Sequence, residues 1–175
     1  FNAPFTAWDE VSSTVSFRDA PKDRPFFYVW NTLLTHESRI WERSNQPLTV
    51  NPEDIIIPSY FPDIPEVRND IARKYSNIEA MDKKVGELIS QLEEDGLLEH
   101  TIIMFWSDHG GNLLRQKRAV GNSGLNVPLI IRYPNKMDAG KVDNRIVSLM
   151  DLGPTVLSLL NIDPPKHYDG KAIAG

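Results

Sequence analysis

A long amphipathic segment, residues 66–95, sets the strongest limit on the fold. Its apolar residues recur at spacings of three and four, which places them on one face of a helix, while charged residues fill the other face. The apolar positions are Ile71, Tyr75, Ile78, Met81, Val85, Leu88 and Leu92. Pro65 suits a first helical turn and Gly96 suits a helix end, so the pattern predicts one long helix with a buried face.

Short apolar segments on both sides of this helix are typical of buried strands. Residues 25–31, 101–107 and 127–133 are rich in aromatic and β-branched side chains, and residues 145–148 form a shorter fourth candidate. A second helix is expected from Asp151 or Gly153 through Leu160. Runs that are apolar almost throughout suit parallel strands covered on both faces. The order of elements therefore predicts an α/β fold, with mainly parallel strands and flanking helices.

Two other segments are expected to lack regular structure. Residues 1–24 show no clean period, and we interpret them as an irregular segment ahead of a single domain portion over residues 25–175. Residues 44–65 contain five prolines. This proline density is incompatible with a regular helix or a central strand, so it predicts a long ordered loop.

Composition excludes several classes of function. The formal net charge of −5 argues against nucleic acid as a partner, because phosphate neutralisation needs a basic face. The chain has no cysteine, which excludes disulfides, thiolate metal sites and a cysteine nucleophile within it. No apolar run approaches the roughly 18–20 residues of a membrane span, so none is expected.

Polar residues that can bind a metal ion or transfer a proton follow the first two candidate strands. Asp108 and His109 come directly after residues 101–107, where a carboxylate beside an imidazole can bind a divalent metal. The same two residues also suit a capped turn. His36 follows residues 25–31, where a histidine can donate a proton to a leaving group. A surface histidine bonded to Glu37 or to the backbone is the alternative.

A group of cations precedes the third candidate strand. Arg115, Lys117 and Arg118 lie on one loop and can clamp a tetrahedral anion, or they can form an ordinary solvated basic loop. In open α/β sheets, ligands bind beyond the carboxyl ends of the strands, which brings these cations towards the metal candidates. An acid, a metal site and a cationic clamp are the parts needed to cleave a sulfate or phosphate ester.

Several motifs in this order resemble type I sulfatases of the alkaline-phosphatase superfamily. The resemblance covers roughly residues 24–175 and is carried by residues 25–41, 75–110, 115–118, 123–134 and 148–157. It implies a partial alkaline-phosphatase-like sheet and a sulfated small molecule or sulfated sugar as substrate.

Roles for individual residues follow from the resemblance. It implies that Asp108 and His109 bind an active-site calcium ion, although many members have Asn at the second position. It places Lys117 against the sulfate group and His36 near the leaving-group oxygen. The further candidate substrate contacts are Glu37, Arg39 and Arg115.

The resemblance also shows what this sequence does not contain. The family nucleophile is a formylglycine made within a Cys/Ser-x-Pro-x-Arg motif, and this sequence has neither that motif nor the family's early Asp-Asp pair. Residues 25–175 are therefore expected to be a C-terminal portion of a catalytic domain, with the formylglycine upstream and little activity in isolation. A C-terminal portion by itself would expose apolar surface where the rest of the domain packs. We expect an N-terminal half, or self-association, to cover that surface.

Two other interpretations stay open. One is a metal-dependent phosphatase or phosphodiesterase of the same superfamily, which would bind zinc through more histidine and aspartate ligands. The other is a non-catalytic remnant or interaction module.

Overall fold

A computed structural model describes residues 8–174 of the chain. Its helices and strands, in chain order, are α1 (Arg39–Glu42), α2 (Pro65–Glu94), β1 (Ile103–Trp106), α3 (Asn122–Leu125), β2 (Leu129–Arg132) and α4 (Leu152–Leu159). Single 3-10 turns lie at Phe17–Asp19, Pro52–Asp54, Leu98–His100, Pro134–Lys136 and Leu149–Asp151. None of the helices among residues 8–174 has both the length and the apolar character needed to cross a membrane.

The long helix α2 matches the sequence prediction and has clear end signals. Pro65 occupies the first helical turn, where its missing N–H is not needed. Gly96 follows the helix with a φ of 68°, a left-handed conformation that glycine adopts without a Cβ clash. The amide of Leu97 then donates to the carbonyl of Leu92 at 2.8 Å, which closes the helix end.

The buried face of α2 differs from the predicted stripe. Ile71 and Leu92 are buried, but Tyr75 is 46% exposed, so the prediction of a core role for Tyr75 is wrong. Ser76 and Asn77 are buried instead, together with Ala72 and Arg73. These residues face the segment 43–50, whose backbone groups form hydrogen bonds with the helix.

Buried polar side chains of α2 form these hydrogen bonds. Arg73 donates to the carbonyl oxygens of Ser44 and Pro47, and Ser76 Oγ accepts from the Thr49 amide at 3.0 Å. Asn77 Oδ1 accepts from the side chain of Arg43, through Nε at 2.8 Å, and this side-chain contact holds the start of the same segment. An irregular, proline-rich loop has no ladder to satisfy its own buried backbone groups, so α2 satisfies them. The predicted loop over residues 44–65 is present up to Ile64, with one 3-10 turn at Pro52–Asp54, and Pro65 already belongs to α2.

A small apolar cluster fixes this loop against α2. Ile55, Ile71 and Ala72 are buried at its centre. Partly buried neighbours pack around them, namely Leu48, Val50, Ile57, Phe61, Val67 and Leu113. Leu113 belongs to the segment that follows β1, so the cluster also anchors that segment.

This cluster can be tested with one substitution at two adjacent positions. Ile55→Val is expected to lower the free energy of unfolding by about 0.5–1.5 kcal/mol, because Ile55 is only 7% exposed. Ile56→Val makes the same chemical change at a side chain that is 92% exposed, and it should leave stability almost unchanged. Urea unfolding of both variants measures the difference, and equal losses would rule out this core.

The sheet differs from the expected one. β1 and β2 lie within the predicted segments 101–107 and 127–133, but they pair antiparallel, with Ile103 opposite Arg132 and Trp106 opposite Leu129. The prediction of mainly parallel strands is therefore wrong for residues 8–174, since β1 and β2 are the strands described there. A parallel pair needs a crossover element, usually a helix, and the connection between these strands holds only the one-turn α3.

Two other predicted strands are absent from the part of the chain that the structure describes. Residues 25–31 and 145–148 run without strand pairing. Their β-branched and aromatic character was the only signal, and strand formation also needs a partner edge. The mixed helix and sheet content agrees with the predicted α/β class. The predicted second helix is present as α4.

Candidate active site

Three segments meet beyond the end of β1, and close backbone contacts hold them there. The amide of Gly110 donates to the carbonyl of Gly124 at 2.8 Å, and the amide of Lys117 donates to the carbonyl of Gly111 at 2.8 Å. A Cβ on Gly110 would collide with the backbone of residues 123–124, so this approach requires glycine. Asn112 Nδ2 donates to the carbonyl of Thr35 at 3.2 Å, which brings in the segment that carries His36.

His36 and Lys117 are 81 positions apart in sequence and in direct contact in the structure. Lys117 Nζ lies 3.2 Å from His36 Nε2, and the Lys117 side chain is only 18% exposed. An ammonium group only donates, so Nε2 accepts in this contact. On the other side of the ring, the Ser38 amide donates to Nδ1 at 3.3 Å, and Ser38 Oγ lies 3.2 Å from the same nitrogen. Both ring nitrogens thus face hydrogen-bond donors, and a neutral ring, which keeps one N–H, can accept fully from only one of them.

Glu37 lies beside this pair and binds two cations. Arg118 Nη1 and Nη2 donate to its two carboxylate oxygens at 2.9 and 2.7 Å, a two-pronged contact. Lys117 Nζ lies 3.4 Å from Oε1 of the same carboxylate. The hydrogen bonds from Arg118 are the largest cause that lowers the pKa of Glu37 from 4.5 to about 2. Glu37 is therefore ionised at any pH at which the protein is normally studied.

The titration of Glu37 is a direct test of this ion pair. A carboxyl group whose pKa is lowered on folding stabilises the folded state above its unfolded pKa. The contribution of Glu37 should be fully present above pH 4.5 and lost as the pH falls towards about 2. The carboxyl carbon resonance of Glu37 should titrate in that acidic range. In the Arg118→Gln variant its midpoint should rise, because the largest cause is removed. A wild-type midpoint near 4.5 would contradict the pair.

Asp108 and His109 present two metal-ligand atoms on one side of the turn. His109 Nδ1 lies 2.7 Å from the carbonyl oxygen of Gly110 and must donate to it, which leaves the lone pair on Nε2. Nε2 lies 3.7 Å from Asp108 Oδ1, and the Asp108 side chain is 83% exposed. Two ligands on one metal ion can have this separation. Within residues 8–174, no group of three or more His, Asp or Glu side chains is arranged to hold a metal ion.

Two predicted substrate contacts, Arg39 and Arg115, bind partners outside the group of His36, Glu37 and Lys117. Arg39 donates to the carbonyl of Leu33 and pairs with Glu42 within α1. Arg115 lies with its guanidinium 5.1 Å from the ring centroid of Tyr60, in the proline-rich loop. The structure thus brings together His36, Glu37 and Lys117, and it directs Arg39 and Arg115 to other partners.

Lys74 is a site neighbour that the sequence pattern did not indicate. It lies on α2, where charged residues were interpreted as a solvated face. Its Nζ donates to Oε1 of Gln116, the residue that precedes Lys117, at 3.0 Å. Burial lowers the pKa of Lys74. Nothing in the local sequence distinguishes Lys74 from the other lysines of the helix, because its role depends on the packing of the 115–118 loop.

Comparisons with known proteins agree on one family. The sulfatase family model matches residues 8–162. An ulvan-active sulfatase of Formosa agariphila is 37% identical, covering all of this chain and 35% of that protein. The human N-sulphoglucosamine sulphohydrolase is 31% identical over 69% of this chain and 24% of its own length. The chain thus spans about a third or less of these curated relatives.

A solved structure shows the same fold. It comes from work on the metabolism of multiple glycosaminoglycans by Bacteroides thetaiotaomicron. Its TM-score with this chain is 0.60 at 23% identity, over 85% of this chain and 31% of that one. The likeness therefore extends over most of the chain and concerns the fold.

Proposed function

Because this chain belongs to the sulfatase family, we propose that His36, Glu37 and Lys117 form part of the active site of an enzyme that hydrolyses sulfate esters or N-sulfates. The observation that carries the proposal is the 3.2 Å contact between Lys117 Nζ and His36 Nε2. Cleavage of a sulfate ester needs a cation to stabilise the sulfate oxygens and a proton donor for the leaving group, and here the two groups lie side by side. The fold, a partial α/β fold of the alkaline-phosphatase type, is consistent with this activity.

Lys117 would bind the sulfate group. An ammonium has three N–H donors, and two of them are directed at His36 and Glu37. The third is available for a sulfate oxygen. Because the side chain is largely shielded from water, its charge acts on that oxygen more strongly than a solvated lysine would. The ion pair with Glu37 also fixes the ammonium before substrate binds.

His36 would transfer a proton to the departing oxygen or nitrogen. When the S–O or S–N bond breaks, negative charge develops on the leaving atom, and a proton neutralises it. Because Nε2 accepts from Lys117 in the resting site, His36 would deliver this proton only in the form of the ring that carries it on Nε2, with the ammonium turned to the sulfate. The Ser38 amide donates to Nδ1, and this contact, with the nearby Ser38 Oγ, holds the ring so that Nε2 faces Lys117. A sulfate held by Lys117 would therefore have its leaving atom close to this nitrogen.

The proposal includes calcium and an upstream formylglycine. Asp108 and His109 fit a metal ion as a partial set of ligands, and a calcium site needs about 6–8 oxygen ligands in all. When bound, the metal would supply positive charge near the sulfate oxygens. The other ligands and the formylglycine nucleophile would come from outside this sequence. We therefore infer that this chain alone has little or no activity.

The names of the relatives suggest the substrate class. The two relatives described above are named for ulvan and for N-sulphoglucosamine. We propose a sulfated carbohydrate for this protein.

Zinc-dependent phosphate ester hydrolysis is the second candidate. It is favoured by His109, since an imidazole nitrogen suits zinc better than calcium. A matched pair of substrates separates the two functions: one alcohol carried as its sulfate and as its phosphate monoester. The full-length protein should release sulfate in a calcium-dependent reaction and leave the phosphate ester nearly intact. Faster phosphate release, with zinc in the purified protein, would favour the second candidate and reject the first.

A further inference from the structure

We propose that Arg118 is a positioning residue, which acts through Glu37 to hold the Lys117 ammonium beside His36. This inference rests on the proposed function, because the position of Lys117 has a consequence only if a sulfate group binds there. Arg118 itself need not touch the substrate.

The shared oxygen of Glu37 is the first support. Oε1 accepts from Arg118 Nη2 at 2.7 Å and lies 3.4 Å from Lys117 Nζ. The second oxygen accepts from Arg118 Nη1 at 2.9 Å. A two-pronged contact sets the plane of a carboxylate, whereas one long contact from a lysine does not. Arg118 therefore determines where Oε1 lies, and Oε1 in turn limits where the ammonium lies.

The backbone of Arg118 is the second support. Its φ is 68°, in the left-handed region that favours glycine, and Arg115 in the same loop has a φ of 63°. A bulky residue held in this conformation is strained, and the strain persists only where surrounding contacts hold it. At position 118 the side chain is engaged in the contact with Glu37, which ties the strained loop to the segment that carries His36.

The exposure of the pair indicates a role other than stability. The Arg118 side chain is 71% exposed, although Glu37 is only 22% exposed. Ion pairs with so exposed a partner contribute little to folding. The expected effect of losing Arg118 is therefore a displaced ammonium at position 117, with the fold intact.

Arg118→Gly separates the two roles. Glycine removes the side chain and also relieves the backbone strain of a φ of 68°, which offsets the loss of a largely solvent-screened ion pair, so thermal stability near neutral pH should change little. In the full-length protein, kcat for sulfate release should fall roughly 10- to 100-fold, as expected for a misplaced catalytic group. Guanidinium chloride at low millimolar concentration should restore part of the activity, because the free cation can occupy the vacated contact with Glu37.

Two further variants make the test sharper. Glu37→Gln should cause a similar loss, and the double variant should be no worse than either single one, because both residues act through one contact. Arg18→Gln is the matched control: Arg18 pairs with Asp95 at 2.7 Å, at the far end of α2, and its loss should leave kcat unchanged.

The outcomes distinguish this inference from the proposed function. No sulfate release by the wild-type protein would reject the proposed function itself. Wild-type activity with an unchanged Arg118→Gly variant would overturn the positioning role alone. A raised KM with unchanged kcat in Arg118→Gly, and a lowered KM in Glu37→Gln, would also overturn it, because that pattern identifies Arg118 as a direct substrate contact.

Discussion

Lys117→Met in the full-length enzyme is expected to lower kcat/KM for sulfate ester hydrolysis by about 10²- to 10³-fold, the usual cost of removing one preorganised charge or donor from a transition state. The substitution keeps a long apolar side chain in a place that is 18% exposed, so packing is largely retained. It removes the cation that lies between His36 and Glu37. Steady-state kinetics with one aryl sulfate and one carbohydrate sulfate measure the effect.

Lys84→Met is the matched control for this prediction. Lys84 lies on the exposed side of α2 and pairs with Glu87 at 2.6 Å, with 56% of its side chain exposed. The control should retain wild-type kinetics. If Lys117→Met also retained them, the loop around residues 115–118 would not be the sulfate-binding loop.

His36→Gln is expected to show a loss that depends on the leaving group. A general acid contributes typically about 10²- to 10⁴-fold, and most to leaving groups that are poor without a proton. The variant should therefore lose most of its kcat on a carbohydrate sulfate and much less on a nitrophenyl sulfate, whose departing oxygen is already stable as an anion. A series of phenyl sulfates with graded leaving-group acidity gives the measurement.

His100→Gln provides the comparison for His36. His100 ends the 3-10 turn that precedes β1, away from the described hydrogen bonds of the site. Its replacement should leave the slope of rate against leaving-group acidity as in the wild type. An equal loss on good and poor leaving groups in His36→Gln would mean that the ring positions Lys117 and does not deliver the proton.

The elements that the sequence predicted well are those with local signals. Helix α2 has a proline at its start, a glycine after its end and a sustained period, and these properties hold whatever surrounds it. Strands β1 and β2 lie within the predicted apolar segments, although each is only four residues long. Their direction of pairing was predicted wrongly, because continuous apolar runs are typical of parallel strands buried on both faces, whereas here Trp106 and Ile130 are exposed.

The site was accessible to sequence reasoning only in part. His36 stood out because it follows an apolar segment, and Lys117 because it belongs to a group of cations ahead of the third candidate strand. The family resemblance indicated both, and the structure places them 3.2 Å apart. Their proximity does not depend on the predicted strand at residues 25–31, which is not formed. The roles of Glu37 and Arg118 arise from a contact between segments about 80 residues apart in sequence, and no local pattern encodes it.

A crystal structure of the full-length protein with a sulfated carbohydrate bound tests the central claim most directly. The account predicts a sulfate oxygen within hydrogen-bond distance of Lys117 Nζ, with the bridging oxygen or nitrogen facing His36 Nε2. It also predicts that Arg118 keeps its two-pronged contact with Glu37. A sulfate group bound away from both Lys117 and His36 would contradict the account.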